Sequence, residues 1–595
     1  MQRILSNDLK NHIGEEILLE GWLHNLRTMG KLAFLILRDR KGLSQIVLES
    51  EEEIKKLDGL YTGSVLRIKG NAILSEKSQY GVEVQKGNIE IIQPVKFPSP
   101  VDISKNDLNV EFDTMLENRV VTLRHPKQSS IFKIASNAER IIRDFFNQND
   151  FTQINSPKMI AFPTEGGAEV FEVNYFDKKA YMAQSPQFYK QIMVGVFEKV
   201  YEIGRAYRAE KSNTSRHVSE ILMLDMEMGF INSFEDILNV SETFIKYITE
   251  NTWNESKTLL EELGAKKPII SGKLPRISVK DLHELMKKET GEDHTGEMDV
   301  APSEEKFITE YSIKNWNSEA LFIVDFPWAD AKFYHHQNEK NLEFADRADL
   351  IFRGVELATI TRREVNYEKL VSQIQSKGID SNNPGLKQYL DGFKYGMPEE
   401  GGFGLGIARF VQKMIGLDNI KEAELFPSDP KLIGGVRIAP KIFFGKELNT
   451  EILSQLNKNK IKFETVTHEP AKTSEESATL RNTKLDEGIK AIILRGKKTG
   501  KNIMVCIPAD QKLDMNLLAN FETEKFEFEN PQIIKDKFGL ELGSIPPFGN
   551  LLGMTTYFSR EIESKAVSAF NDGLNTESIK MKPADVIKLI SPIFI

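Results

Sequence analysis

Residues 197–230, FEKVYEIGRAYRAEKSNTSRHVSEILMLDMEMGF, constrain the fold more than any other stretch. Polar and apolar residues alternate along VYEIGRAYRAE, the polar run KSNTSRH follows, and ILMLDMEMGF alternates again. Period-two alternation on both sides of a polar loop predicts an antiparallel hairpin. The same alternation puts Arg208 and Glu210 on one face. The hairpin offers Arg208, Arg216 and His217 to an anion, because guanidinium groups match phosphate or carboxylate with paired hydrogen bonds. A solvated charged hairpin is the plainer alternative.

The rest of the chain divides around this feature. At 595 residues, 40% hydrophobic and 28% charged, it has a globular composition and room for three or four cores. A single cysteine, Cys506, excludes an intrachain disulfide and a cysteine-based zinc site. The N-terminus lacks the apolar segment of a secretory signal, and no apolar run reaches a membrane span, so the expected location is the cytoplasm. The net charge of −9 argues against a uniformly basic surface but allows nucleic acid on a local basic face. Five short β-like runs, from EILLEGWL to IEIIQPV, precede the Pro-marked stretch Pro94–Pro100 and fit a small barrel of the OB type. The pattern IFKIASNAERIIRDFFNQND predicts a helix, and β-rich runs and helices alternate until about residue 445. A third segment follows, with the helical LNTEILSQLNKNKI and the strand-like AIILRG and IMVCIPA. The expected domains are 1–100, 101–447 and 448–595.

No GxxxxGK[ST] loop is present; GKKTGK at 496–501 is one residue short. GGFGLG at 401–406 has the wrong spacing for a dinucleotide loop. It reads as close backbone approach to a ligand, followed by the helix IARFVQKMIGL carrying Arg409, or as a plain glycine turn. ADLIFRGVELATITRREV supplies Asp349, Glu356 and Arg363; the two carboxylates could hold magnesium together with phosphate oxygens, or belong to a charged surface strand.

Strand–Arg-x-Glu–loop–Arg-His–strand, then GxGxGxxR on a helix, resembles motifs 2 and 3 of the class II aminoacyl-tRNA synthetases, and the helix ending at Pro157 resembles motif 1. TEGGAEVF (164–171) and AQSPQFYKQ (183–191) look like the aspartyl family of the compact archaeal type. The resemblance covers residues 1–445 and implies a multidomain α+β protein: an N-terminal OB barrel and a class II antiparallel sheet with flanking helices. It implies ATP and Mg2+ as cofactors, L-aspartate and tRNA(Asp) as partners, a homodimer, and no membrane association. An asparagine–tRNA ligase and an inactive tRNA-binding paralogue are the competing readings; the presence of both Arg208 and Arg409 speaks against the latter.

By this resemblance Arg208 bridges the α-phosphate and the attacking carboxylate, and Glu210 lies beside the ATP loop. Arg216, His217, Gly406 and Arg409 belong to the ATP site, with His217 and Arg409 at the outer phosphates. Asp349 and Glu356 hold magnesium, with Thr359 where the family usually has Ser. Aspartate carries two carboxylates and one ammonium, so its pocket needs cations in excess. Lys190 is implied at the side-chain carboxylate, Arg363 at the substrate carboxylates and Glu165 at the ammonium, with Gln187 in the same pocket. Lys190 argues against asparagine, whose amide has no charge to neutralise and whose NH2 finds no acceptor on an ammonium. In the barrel, Phe34 could stack on an anticodon base and Gln45 bond one, while Arg27 and Arg38 could serve phosphates. His24 resembles relaxed enzymes that charge both tRNA(Asp) and tRNA(Asn), whereas Lys86, in the loop before IEII, resembles strict ones. The two signals disagree, and the reading inclines to both tRNAs.

The C-terminal runs HEPAKTSEESA, EGIKAIILRG, CIPADQKLDMNLL and GLELGSIPPFG resemble the prolyl-tRNA editing superfamily, which includes free-standing aminoacyl-tRNA deacylases. This implies a mixed α/β domain in which Lys490 supports hydrolysis and the loop Gly543 to Pro547 positions the ester. A degenerate domain retained for tRNA binding is the alternative.

Overall fold

The computed structural model describes all residues except 164–168, 211–213, 438–441, 472 and 523, and the side chains of Pro384 and Asn520. The chain forms two compact units, Met1–Arg437 and Ile438–Ile595.

The first unit begins with a closed five-stranded barrel built from Glu16–Met29, Leu32–Arg38, Leu43–Leu48, Val65–Leu74 and Val82–Gln93. Strict alternation drives closure: Ala33, Leu35 and Leu37 point inward and are at most 2% exposed, while Phe34 and Ile36 between them are half-buried. One irregularity matters. Leu23 pairs with Leu37 and Asn25 with Ile36, so His24 is an extra bulged residue. At the bulge its ring is buried to 5% exposure near Arg38, His125 and Asp102, where simple alternation would leave it exposed.

Next comes an eight-stranded sheet in the order Arg276–Ser278, Ala320–Val324, Arg347–Phe352, Val355–Arg362, Glu400–Gly406, Glu220–Gly229, Lys199–Tyr207 and Thr152–Gln153. The six central strands pair antiparallel, and only the two edge pairings are parallel. One face is covered by the helices Pro126–Gln148, Phe234–Glu262 and Ile407–Ile415. The first of these buries Ile131, Ile134, Ala138, Ile141, Ile142, Phe145 and Phe146, spaced three and four apart, against Leu224 and Met226 of the sheet. Each of the Ile and Phe side chains contributes about 1.5–3 kcal/mol of burial. With one face sealed, alternate residues of the same strands present polar groups on the other face.

The hairpin expected at 197–230 is present as Lys199–Tyr207 paired with Glu220–Gly229. Its first strand is shorter than the alternation suggests: it ends at Tyr207, although the Arg208 N–H still donates to Ser219 C=O at 2.9 Å. GGFGLG is no turn. It is a central sheet strand running directly into the helix with Arg409. Glycine is required there by crowding. A Cβ on Gly402 would stand 2.0 Å from the Met226 carbonyl oxygen and 2.5 Å from Glu227 Oε2, and one on Gly404 3.1 Å from Asp225 Oδ1.

The second unit has a five-stranded mixed sheet, with Ile489–Gly496 and Asn502–Pro508 paired at its centre, and a three-stranded sheet of Phe463–Thr467, Glu577–Met581 and Ser568–Asn571. Asn502–Pro508 is buried along its whole length, as a strand covered on both faces must be. Cys506 is a free buried thiol there, its ionisation pushed up by burial. Among the described residues no helix is long and apolar enough to cross a membrane.

Candidate active site

The open face of the large sheet carries a cavity of roughly 460 Å³. It brings together Gln187, Lys190, Arg208, Glu210, Arg216, His217, Glu356, Thr359, Arg363, Gly406 and Arg409. Glu165 lies outside the described residues.

The innermost group is a network of buried charges. The helix Gln187–Phe197 turns Gln187, Lys190, Gln191 and Val194 to the interior at helical spacing. Lys190, 1% exposed, donates to Asp225 Oδ1 at 3.0 Å and stands 3.4 Å from Glu227 Oε2. Arg363, 3% exposed, grips Glu227 with two hydrogen bonds, Nε to Oε1 at 2.8 Å and Nη2 to Oε2 at 3.1 Å. Burial disfavours the Arg363 charge, but Glu227 outweighs it and raises the guanidinium overall. Burial raises Asp225 despite Lys190. Glu400 beneath them is pushed well up by burial and by Glu227, and it accepts a hydrogen bond from Gln191 Nε2 at 2.8 Å. Two cations and two carboxylates therefore balance, so the excess of cations expected for aspartate is not found within this innermost group.

The outer wall is cationic. Arg208 has only the 3.9 Å approach of Glu210 as an ion pair among the described residues. Arg409 hydrogen-bonds the Glu356 carbonyl and lies 3.8 Å from its carboxylate. Arg216 is anchored by Glu305 at 3.0 Å and by Gly354 C=O at 2.7 Å. His217 is held below its ordinary value by burial and by Arg409, Arg216 and Arg208, against the pull of Glu210.

A strand irregularity assembles the carboxylates. Leu350 pairs with Ala358 but Ile351 with Glu356, so Leu357 is an inserted residue. Without it Glu356 and Thr359 would face opposite sides; with it the Thr359 hydroxyl donates to Glu356 Oε1 at 2.7 Å. Asp349 pairs directly across from Thr359. Burial pushes Asp349 up to about 7, with Arg347 at 2.9 Å opposing and Glu356 adding repulsion. Burial also raises Glu356, but Arg409 and the Thr359 hydroxyl hold it below the usual range. Two oxygen donors that repel each other suit a hard cation that takes its other ligands from phosphate and water. Among the described residues no three His, Cys, Asp or Glu side chains gather into a complete metal cage.

The barrel places Phe34 and Gln45 half-buried on its outer face, with Gln45 Nε2 bonded to Glu83 at 3.2 Å. Arg27 is exposed, and the Arg38 guanidinium sits 4.7 Å from the Trp22 ring centre. Lys86 is exposed with φ 53°, inside the strand Val82–Gln93 rather than in a loop before it. His24 is driven down to about 4 by burial and by Arg38. In the second unit, Lys490 and Gly543 line a cavity of roughly 230 Å³; Pro547 is buried and does not line it. Lys490 Nζ donates to Gln511 C=O at 3.2 Å.

Comparison with known proteins agrees with this geometry. Residues 111–430 match the family described as tRNA synthetases class II (D, K and N). A Thermus thermophilus protein named aspartate–tRNA(Asp/Asn) ligase is 38% identical over 72% of this chain and 98% of its own. The chain belongs to the class II tRNA synthetases. Residues 17–92 of this synthetase match an OB-fold nucleic acid binding domain, and residues 468–589 match an aminoacyl-tRNA editing domain. A Pyrococcus abyssi protein named aspartate–tRNA(Asp) ligase is 37% identical over 70% of the synthetase and 95% of its own length. Among solved structures, asparaginyl-tRNA synthetase from Pyrococcus horikoshii with asparaginyl-adenylate has a TM-score of 0.68 at 27% identity, covering 73% of this chain and 99% of that one. Aspartyl tRNA synthetase from Entamoeba histolytica has a TM-score of 0.65 at 25% identity, covering 73% and 93%.

In and beneath the synthetase cavity lie residues that the motifs did not flag: Asp225 and Arg347 line it, and Glu227 is buried against Arg363. Asp225 and Glu227 were readable: in ILMLDMEMGF they share a face opposite Leu224 and Met226. Arg347 was not, because its tie to Asp349, Asp299 at 3.3 Å and Asp330 at 3.4 Å joins distant segments.

Proposed function

We propose that this synthetase activates L-aspartate with ATP and transfers it to tRNA(Asp) and also to tRNA(Asn). The observation that carries the reading is the shared cavity of Lys190, Arg208 and Arg409. Lys190 and Arg363 receive the side-chain and α-carboxylates of aspartate, with Gln187 beside them. An α-carboxylate oxygen attacks the α-phosphorus, a new O–P bond forms, and pyrophosphate leaves with the electrons of the broken bond. Little covalent help is needed; alignment and charge neutralisation suffice. Arg208 steadies the attacking oxygen and α-phosphate, while His217, Arg216 and Arg409 take the outer phosphates. Magnesium, held by Asp349 and Glu356, would neutralise phosphate charge. The tRNA 3′-terminal hydroxyl then attacks the acyl carbon and releases AMP. Phe34 and Gln45 on the barrel read the anticodon, and the family resemblance adds a homodimer in the cytoplasm.

We also propose that the second unit hydrolyses mischarged tRNA, with Lys490 holding phosphate or the developing oxyanion. The relative in the Asp/Asn class supports the double tRNA range, and the structural likeness to an asparaginyl enzyme keeps asparagine as the second reading. Charging purified tRNA(Asp) and tRNA(Asn) with aspartate and asparagine, using the Lys490→Ala variant so that hydrolysis does not mask charging, decides. Aspartate is expected on both; asparagine alone on tRNA(Asn) would overturn the proposal.

A further inference from the structure

The smaller cavity carries a charge that an uncharged acyl group does not require. Arg481 ends the helix Ser474–Arg481, lines the cavity and is 7% exposed. Its Nε donates to Ser578 Oγ at 2.8 Å and its Nη2 to Asn571 Oδ1, both neutral partners. Burial pulls the guanidinium down to about 10, and among the described residues no acidic neighbour counters it. Among the described residues no Asp or Glu lines this cavity. The larger cavity differs: its buried cations, Lys190 and Arg363, are matched by Asp225 and Glu227. An uncompensated buried cation is costly, and a ligand anion removes the cost.

The cavity has two cations of unequal burial. Lys490 is half-buried, and Arg481 is the more enclosed. Ala478, Ala491 and Gly488 keep the space between side chains open. The end of an aminoacyl-tRNA always brings phosphate. Only an acidic amino acid brings a second anion, on the acyl group itself. With Lys490 serving phosphate or oxyanion, Arg481 remains for that second charge.

We propose that this cavity takes an acidic aminoacyl ester, with Arg481 as receptor for its side-chain carboxylate; aspartyl-tRNA(Asn) is the probe that carries such an ester. The proposal rests on the reading of the second unit as a hydrolase. A water oxygen bonds to the ester carbon, the carbon–ribose-oxygen bond breaks, and the ribose oxygen takes a proton. Aspartate leaves as the carboxylate with release of one proton. No co-reactant is needed. The first unit, charging tRNA(Asn) with aspartate, makes this same ester.

The test uses the full chain with ATP, AMP and pyrophosphate omitted, so the first cavity neither makes nor reverses the ester. The probes are tRNA(Asn) carrying aspartate, the same tRNA carrying the near-isosteric asparagine, and tRNA(Ala) carrying alanine. Phosphate is constant between the first two, so any difference reports the side-chain charge. The aspartyl ester is expected to be hydrolysed about tenfold faster or more. Arg481→Gln is expected to bring the aspartyl rate down to the asparaginyl rate, and Arg481→Lys to restore part of the preference. Equal aspartyl and asparaginyl rates in the unmodified protein, which need no variant to fold, would overturn the proposal; so would an equal slowing of both by Arg481→Gln. Failure to hydrolyse any of the three would instead remove the hydrolase reading beneath it.

Discussion

Replacing Lys190 by Met tests the charge balance of the amino-acid pocket. Lys190 Nζ is 3.0 Å from Asp225 and 3.4 Å from Glu227, at 1% exposure. Two effects follow from its loss. The bound aspartate side chain loses a buried cationic partner, worth about 2–5 kcal/mol for a hydrogen-bonded charge pair. At 1.4 kcal/mol per factor of ten this is roughly 30- to 4,000-fold in kcat/KM. Asp225 and Glu227 also lose a counter-charge. Glu227 keeps Arg363, and Asp225, already raised by burial, can take a proton, so folding is expected to suffer less than the 3–5 kcal/mol or so of a fully stranded buried charge. The assay is ATP–pyrophosphate exchange with aspartate and with asparagine, alongside thermal melting. Loss of the aspartate signal in a variant that melts cooperatively is expected. An unchanged kcat/KM for aspartate, to within about threefold, would refute the assignment and the charge argument with it.

Other outcomes follow from the same structure. Lys490→Ala is expected to abolish deacylation while leaving aspartylation intact, and parallel loss of both activities would show that the sites are not separate. Gly402→Ala is expected to destabilise the protein and depress aspartate activation together, because its Cβ would collide with the Met226 carbonyl of the neighbouring strand and crowd the carboxylate that holds Arg363; melting and exchange kinetics measure the two. Glu356→Gln removes a charge that repels Asp349, so Asp349 is expected to titrate below its value of about 7, while the magnesium concentration needed for half-maximal exchange rises. His24 titrates near 4 when folded and near 6.5 when unfolded, so the unfolded chain binds the extra proton. Its contribution to stability is present above pH 6.5 and is lost as pH falls toward 4. In His24→Gln the decline of Tm over that window should be shallower than in the parent; an identical decline would count against a neutral buried ring.

Alternation and helical spacing made the barrel, the hairpin and the helix Pro126–Gln148 legible, because one buried face imposes a regular period on each. The departures from period mark where sequence reading fell short. An inserted residue at Leu357 carries Glu356 to the side of Thr359, and another at His24 buries a ring that alternation would leave exposed. Neither bulge leaves a local signature, since each is settled by pairing with a partner strand. GGFGLG misleads for the opposite reason. Its glycines suggest a turn, yet they sit in a strand because Glu227 and Asp225 on the neighbouring strand fill the space of their missing side chains. The carboxylates and the glycines are therefore one feature written in two places, 175 positions apart between Glu227 and Gly402. Any replacement that enlarges one side must move the other, and with it Lys190 and Arg363. This is why the pocket's charge balance depends on backbone spacing as much as on the identity of its cations.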